Sequence, residues 1–262
     1  MTKAGSKRGD PAKIAGRDLP GQVAELVGEL SGTDPPGRPG SAGRIRRLTA
    51  ATARAVGRGG QVTWRGARSA GRWLADQVIA MAPRLPVRDQ ATLRRQFPGC
   101  SPEELADALI RGSSRAAASI GAAVGAATVL PVVPAIPVEI ATETLALVGI
   151  ELKLIAELHE VYGMRAPGSA AERMTAYVGA WASRRGVALA PGGIILAVGS
   201  PLRRRLQRRL LVRAGRSATS LAPLLTGALA GAALNRRETR RLGQEIRNDL
   251  RQRSPNTARW AR

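Results

Sequence analysis

Apolar residues recur every three to four positions along most of this chain, and that spacing predicts helices. The segment Gln22–Leu30 predicts a short helix, and Gln61–Met81 predicts a basic amphipathic helix that ends before Pro83. A further helix is predicted in AAERMTAYVGAWASRRG, residues 170–186. No segment alternates apolar and polar residues as a half-buried strand does. The pattern therefore predicts an all-α fold.

Two long helices are predicted in the centre of the chain, separated by a proline-rich connector. Ser101, Pro102 and Glu104 are residue types of a capped helix start, so the first helix is predicted from there to Leu130. The sequence PVVPAIP, residues 131–137, is predicted to end this helix and to form an extended turn.

The second central helix is predicted directly after this connector, and Gly163 is the residue expected to end it. Apolar residues cover most of its surface, which predicts that the helix is largely buried. Charged residues fall on the one remaining side and form an acidic stripe. This stripe is predicted to be either solvated or paired with arginines, and it consists of Glu139, Glu143, Lys153, Glu157 and Glu160.

Two runs of small residues contain glycines four positions apart, a spacing that lets helices approach closely. The predicted helix-packing residues are Gly121, Gly125, Gly227 and Gly231. The surrounding segments, residues 116–138 and 217–235, carry no charge over 23 and 19 residues, close to the roughly 20 residues that a membrane span needs. The prolines in the first segment and the Ala/Gly content of the second segment argue against a membrane-spanning helix in either. We therefore predict a bundle of Gly/Ala-rich helical hairpins, packed together or dipping into a membrane interface.

Composition divides the chain into three parts. Residues 1–60 are rich in Gly, Pro, Ser and Arg and are predicted to form a disordered basic arm. The helical domain is predicted at residues 61–252, and a basic tail at residues 253–262. The first residues lack the apolar region of a secretory signal, and Cys100 is the sole cysteine, so a reducing compartment is predicted.

The charge balance indicates a polyanionic partner. The chain has 41 Lys and Arg residues against 19 Asp and Glu residues, a net charge of +22. Residues 116–160 are acidic, and the segments on both sides of them are basic. This balance favours an anionic membrane surface or nucleic acid without deciding between them.

Arginines cluster in two segments and alternate with leucines in the first of them, as in a basic amphipathic helix. Such a helix suits an anionic lipid surface, where each Lys or Arg contributes about 1 kcal/mol. The predicted residues of an anionic-surface binding site are Arg203, Arg204, Arg205, Arg208, Arg209, Arg213, Arg216, Arg236, Arg237, Arg240 and Arg241.

The residues that usually carry enzyme chemistry are sparse. His159 begins half of an H-E-x-x-H zinc motif, but Gly163 stands where the second histidine belongs. The glutamates of the acidic stripe are more simply explained as structural, and the sequence contains no phosphate-binding G-x-x-x-x-G-K-[ST] loop. We therefore predict no catalytic residues, no cofactor and no metal site, and the chain is not expected to be an enzyme.

Two stretches together resemble the EcsC family of bacterial proteins and the related membrane-associated tail of some bacterial GTPases. The first is GAAVGAATVLPVVPAIPVEIATETLALVGIELKLIAELHEVYG. In the second, LLTGALAGAALNRRETRRLGQEIRNDL, Gly227, Gly231 and Asn235 match the family's closing pattern Gly-Ala-x-x-Gly-Ala-x-x-Asn. The resemblance covers about residues 101–252. The chain departs from it in the Arg-rich N-terminal arm and in the segment RRRLQRRLLVR.

The resemblance implies a Gly/Ala-rich helical domain with a peripheral or integral membrane role near transport or secretion machinery, and no established catalytic residues. We thus expect a non-enzymatic protein on the cytoplasmic side of the cell membrane. Its expected partners are an anionic lipid surface and a membrane protein. Two alternatives remain open at this point: a sequence-independent nucleic-acid-binding protein, and a soluble helical bundle whose arginines only keep it in solution.

Overall fold

A computed structural model of the chain describes residues 19–31, 43, 48–50, 52, 67–127, 135–190, 193–196 and 222–254. The all-α fold predicted from the sequence is confirmed. The helices whose bounds the structure defines are α1 (Leu19–Leu30), α2 (Ala67–Met81), α3 (Gln90–Gln96), α4 (Pro102–Ala127), α5 (Ala135–Val161), α6 (Ala170–Arg185) and α7 (Ala222–Arg253). A 3-10 turn, Ala82–Arg84, follows α2, and two short strands lie between α6 and α7: β1 (Val187–Ala190) and β2 (Gly193–Leu196).

Helix α5 is the centre of the bundle. On one side, Gly149 of α5 lies directly against Val27 of α1 and Met81 of α2. Two residues further along, which is about 200° around a helix, Glu151 bonds to side chains of α6 and α7. Neighbouring helices therefore cover α5 on opposite sides, and nearly every described residue from Ala141 to Tyr162 is buried.

Helices α4 and α7 form an antiparallel pair beside α5. Gly121, late in α4, lies against Gly231, early in α7, whereas Ile110, earlier in α4, lies against Gly243, later in α7. Glycine at these positions removes the side chains that would otherwise separate the two helix backbones.

Several helix boundaries follow from local residue chemistry, as predicted. The Ser101 and Glu104 side chains bond to each other's backbone N–H groups at the start of α4. At the end of α5, Gly163 has φ 66°, and its N–H and that of Met164 bond to the carbonyls of Glu160 and His159. This is the Schellman arrangement, which requires a left-handed residue that glycine adopts most readily.

The N-terminal boundary predicted at residue 61 is wrong for α1. The predicted helix exists, begins at Leu19, and buries Leu19, Val23, Leu26 and Val27 in the core rather than lying in a disordered arm. The apolar residues of α1 share one face, and burial of that face against α5 and α2 stabilises a segment whose flanks are polar. The other parts of the predicted arm lie mostly outside the described residues.

Helix α5 begins at Ala135, inside the predicted connector, and includes Pro137. A proline is tolerated there because the first N–H groups of a helix have no carbonyl partner within the helix. The end predicted for α4 at Leu130 falls outside the described residues, which reach Ala127.

A short β-hairpin is one part of the fold that the sequence pattern did not predict. Strands β1 and β2 pair antiparallel, with Val187 opposite Leu196 and Ala190 opposite Gly193. Two residues, Pro191 and Gly192, separate the strands. A short, continuous apolar run has no period that distinguishes a strand from a buried helix, so periodicity alone missed it.

Candidate anion-binding face and buried polar network

The outer face of α7 changes from apolar to cationic along the helix. Leu229, Arg236 and Arg240 fall seven and then four residues apart, so they lie within about 40° of one another around the helix axis. All three are exposed, and Leu229 is 70% accessible. Ile79 and Leu229 are the exposed large apolar side chains among the residues that the structure describes. We call Leu229, Arg236, Arg237 and Arg240 the α7 outer face.

The arginines of this face have no acidic partner among the residues that the structure describes. Within the described part of the chain, no carboxylate lies within ion-pair distance of Arg236, Arg237 or Arg240. Arg241, the fourth exposed arginine of the cluster, pairs with Glu245 one turn later at 2.9 Å. Three cationic side chains are thus available to an external anion.

The opposite side of α7 explains why these arginines point outward. Leu242, Ile246 and Leu250 are buried at helical spacing, and Asn235 and Thr239 continue the same buried side toward the start of the helix. Asn235 and Thr239 are each fully buried. Their neighbours Arg236 and Arg240 are directed to solvent as a consequence of the 100° turn per residue.

The structure describes four of the arginines of the predicted surface site. Arg236, Arg237, Arg240 and Arg241 lie together on the exposed side of α7. The other predicted arginines, Arg203, Arg204, Arg205, Arg208, Arg209, Arg213 and Arg216, lie outside the described residues. Their position relative to α7 therefore stays a prediction.

Among the predicted packing glycines, Gly121 and Gly231 meet directly. A Cβ atom at Gly121 would lie 2.6 Å from the Gly231 carbonyl oxygen and 2.7 Å from Nδ2 of Asn235. The Asn235 amide in turn donates to Oε1 of Glu143 at 2.8 Å. Gly125 lies in α4 and Gly227 in α7, but their surroundings fall outside the described residues. Gly121, Gly231 and Asn235 therefore bring α4, α5 and α7 into contact at one place.

A buried ionic cluster links α5 to α6 and α7 through Glu151. One carboxylate oxygen accepts from Nε1 of Trp181 at 2.8 Å and from Nε of Arg185 at 3.1 Å, and the other accepts from Nη2 of Arg185 and from Thr239 at 3.3 Å. Burial disfavours the charged form of Arg185, but Glu151 and then Glu238 outweigh it and raise the pKa of that guanidinium. The carboxylate is fully satisfied, as a buried charge requires.

Sequence reasoning missed Glu151. It falls between Ile150 and Leu152, outside the acidic stripe, in the most apolar part of α5. A lone carboxylate among buried apolar positions must have a cationic partner, and Trp181 and Arg185 stand four residues apart near the end of a predicted helix. The sequence thus contains both the buried carboxylate and its partners, but only the fold shows that the Trp181 and Arg185 side chains meet Glu151.

The acidic stripe of α5 is buried rather than solvated. Arg88 holds Glu157 through two side-chain bonds of 2.8 Å, and Lys153 also contacts that carboxylate. Burial lowers the pKa of Lys153, and the Glu157 carboxylate opposes the shift without cancelling it. Arg165 pairs with Glu160 at the end of α5. Glu157 and Glu160 are thus paired with arginines from loops and not from the predicted basic clusters, whereas Glu143 accepts from Asn235 of α7. The Glu139 side chain lies outside the described residues.

His159 is a structural side chain in this arrangement. Its Nδ1 lies 2.8 Å from the carbonyl oxygen of Ile155, and its ring packs against that of Tyr177 with centroids 4.8 Å apart. Burial lowers the pKa of His159, and the bond to Ile155 opposes this effect. The described residues contain no group of three or more His, Cys, Asp or Glu side chains that could hold a metal ion.

Two further findings bear on the site. None of the helices in the described ranges is long and apolar enough to cross a bilayer. No family model matches the sequence, and no curated protein and no solved structure is significantly similar to it. The resemblance to the EcsC family accordingly stays a prediction from the two quoted stretches.

Proposed function

We propose that this chain is a non-enzymatic, EcsC-like protein that associates with the anionic cytoplasmic face of the cell membrane, in a role accessory to transport or secretion. The single observation that carries this proposal is the set of three exposed arginines on α7 without a carboxylate partner in the described structure. Unpaired guanidinium groups on one helix face suit the phosphates of an anionic leaflet. The net charge of +22 adds long-range attraction to such a surface.

The internal packing supports a binding role over a catalytic one. The buried carboxylates of α5 are occupied by protein partners: Glu143 by Asn235, Glu151 by Arg185, and Glu157 by Arg88. These groups pin α5 to its neighbours and are not presented to a substrate. The accessible cations of α7, by contrast, are open to an external molecule.

The experiment is vesicle flotation with a charge-matched pair of variants. The double variant Arg236→Gln/Arg240→Gln removes two unpaired cations from the α7 outer face. The control Arg94→Gln/Arg95→Gln removes two exposed cations from α3, so the net charge is equal. At about 1 kcal/mol for each arginine, the α7 variant should bind phosphatidylglycerol vesicles roughly thirtyfold more weakly than the unaltered chain. The α3 variant should change binding much less.

Competing duplex DNA in the same experiment separates the membrane proposal from nucleic-acid binding, since the same cations can neutralise DNA phosphates. Flotation that persists with DNA present supports the proposal. If the protein leaves the vesicles and stays with the DNA, the nucleic-acid alternative is correct. If it binds neither partner, the arginines only keep the bundle in solution. Equal loss of flotation in both double variants would show that net charge, and not the α7 outer face, governs binding.

A further inference from the structure

The apolar end of the α7 outer face distinguishes insertion into a membrane from purely electrostatic binding to its surface. Leu229 projects into solvent about two turns before the first unpaired arginine, on the same side of the helix. The neighbouring exposed residues Ala230 and Ala233 carry no charge. The Leu229 side chain, 70% accessible, has no counterpart in a purely electrostatic contact.

We propose that α7 inserts Leu229 into the boundary between headgroups and acyl chains while Arg236 and Arg240 remain at the level of the lipid phosphates. The partner of this face is thus an anionic phospholipid bilayer, which contacts both the apolar Leu229 and the cationic Arg236 and Arg240 of one helix. This inference rests on the proposed membrane association and adds the depth and the orientation of α7 in the bilayer.

The dimensions of the face fit this arrangement. Seven residues separate Leu229 from Arg236, which is about 10 Å along a helix. A tilt of roughly 30° would place the leucine about 5 Å deeper than the arginine, within the 5–10 Å to which interfacial helices bury their apolar side. A helix lying flat would instead keep both at one level.

The polarity of the α7 outer face also selects a bilayer over nucleic acid as its partner. A DNA or RNA backbone offers phosphates to the arginines, but it has no apolar phase for a projecting aliphatic side chain. Specific contacts of aliphatic residues with nucleic acid require entry between bases or against a thymine methyl group. A bilayer accommodates the leucine and the arginines together.

The test places an environment-sensitive fluorophore on α7 and measures its quenching by nitroxide-labelled lipid. The full chain with Cys100→Ser carries one new cysteine, either Leu229→Cys or, as the matched control, Asn248→Cys. Both positions are exposed on α7, and they are about 28 Å apart along the helix. The circular dichroism of each variant is compared with that of the unaltered chain, since an exposed position should leave the fold intact.

With vesicles containing phosphatidylglycerol, the probe at position 229 should shift to an apolar environment and be quenched from the lipid phase, while the probe at 248 remains aqueous. Separately, Leu229→Ser should reduce vesicle binding by about tenfold, as expected for losing most of one buried leucine. If the protein floats with vesicles but both probes stay aqueous, this inference is wrong and the surface association stands. Equal quenching at both positions also overturns the tilted insertion. Absence of flotation overturns both proposals together.

Discussion

Gly121→Ala is the most direct test of the packing between α4 and α7. The added Cβ atom would lie 2.6 Å from the Gly231 carbonyl oxygen, 2.7 Å from Nδ2 of Asn235 and 2.8 Å from the Gly231 carbonyl carbon, whereas ordinary contact begins near 3.4 Å. The two helices must therefore separate by about 0.8 Å at this point. Because the opposing atoms are mostly backbone, no side-chain rotation can relieve the contact.

Overpacking of this kind costs about 1–3 kcal/mol. Alanine is also the better helix former, by about 1 kcal/mol, and that gain opposes the clash. The net expectation for Gly121→Ala is a loss of up to about 2 kcal/mol, since separation of the helices also weakens the bond from Asn235 to Glu143. In a chain of this size, each 1 kcal/mol corresponds to roughly 2–4 °C in the midpoint of thermal unfolding.

Gly112→Ala is the matched control in the same helix, because a Cβ atom at Gly112 would meet nothing within 4 Å. It keeps the gain in helix formation without the clash, so it should stabilise the fold by about 1 kcal/mol. Urea titration and thermal melting of both variants give the difference, which should equal the cost of the clash alone. Equal shifts in the same direction would refute the close approach of α4 and α7.

Three further predictions concern the buried and capping groups. Lys153→Met should be neutral or slightly stabilising, because Glu157 keeps Arg88. Glu157→Gln should instead cost about 3–5 kcal/mol, because it leaves the buried Lys153 and the partly buried Arg88 without their carboxylate. Urea titration that ranks the two variants in the reverse order would contradict this. Burial holds the pKa of His159 below its unfolded value of about 6.5, so the unfolded chain binds the proton first and stability should fall as pH drops below about 6.5. His159→Gln should reduce that slope in melts from about pH 7.5 to 5.5, and an unchanged slope would exclude this histidine as its source. Ser169→Ala, which removes the capping box of α6, should cost about 1 kcal/mol and speed amide exchange at Glu172, whereas Ser183→Ala at the exposed far end of α6 should not.

Local rules sufficed for the parts of the fold that depend on neighbouring residues. The start of α4 at Ser101 and the end of α5 at Gly163 follow from side chains and backbone conformations within one turn. The exposure of Arg236 and Arg240 likewise follows from helical spacing against the buried Leu242 and Ile246 once α7 is known to pack on one side.

Several features that the sequence did not predict depend on contacts between residues far apart in the chain. Helix α1 was predicted as an isolated segment in a disordered arm, because its one apolar face has no visible partner in the sequence; the partner is α5. The seven-residue helix α3, with Asp89 as its N-cap, is too short to produce a clear apolar period and was missed. Glu151 was missed because its partners, Arg185 and Thr239, lie 34 and 88 residues away.

Helix α7 has one side on the solvent and the other bonded into the centre of the protein, and residues of the two sides adjoin along the chain. Asn235 precedes Arg236, and Thr239 precedes Arg240, so the groups that hold α5 are covalent neighbours of the groups that would meet an anion. A roll of α7 about its own axis would break the bonds to Glu143 and Glu151 before it could redirect the arginines. We therefore expect α7 to keep its orientation relative to α5, so that reorientation at a surface would turn the two helices together as one rigid unit. Amide exchange at Asn235 should then be equally slow with and without bound vesicles.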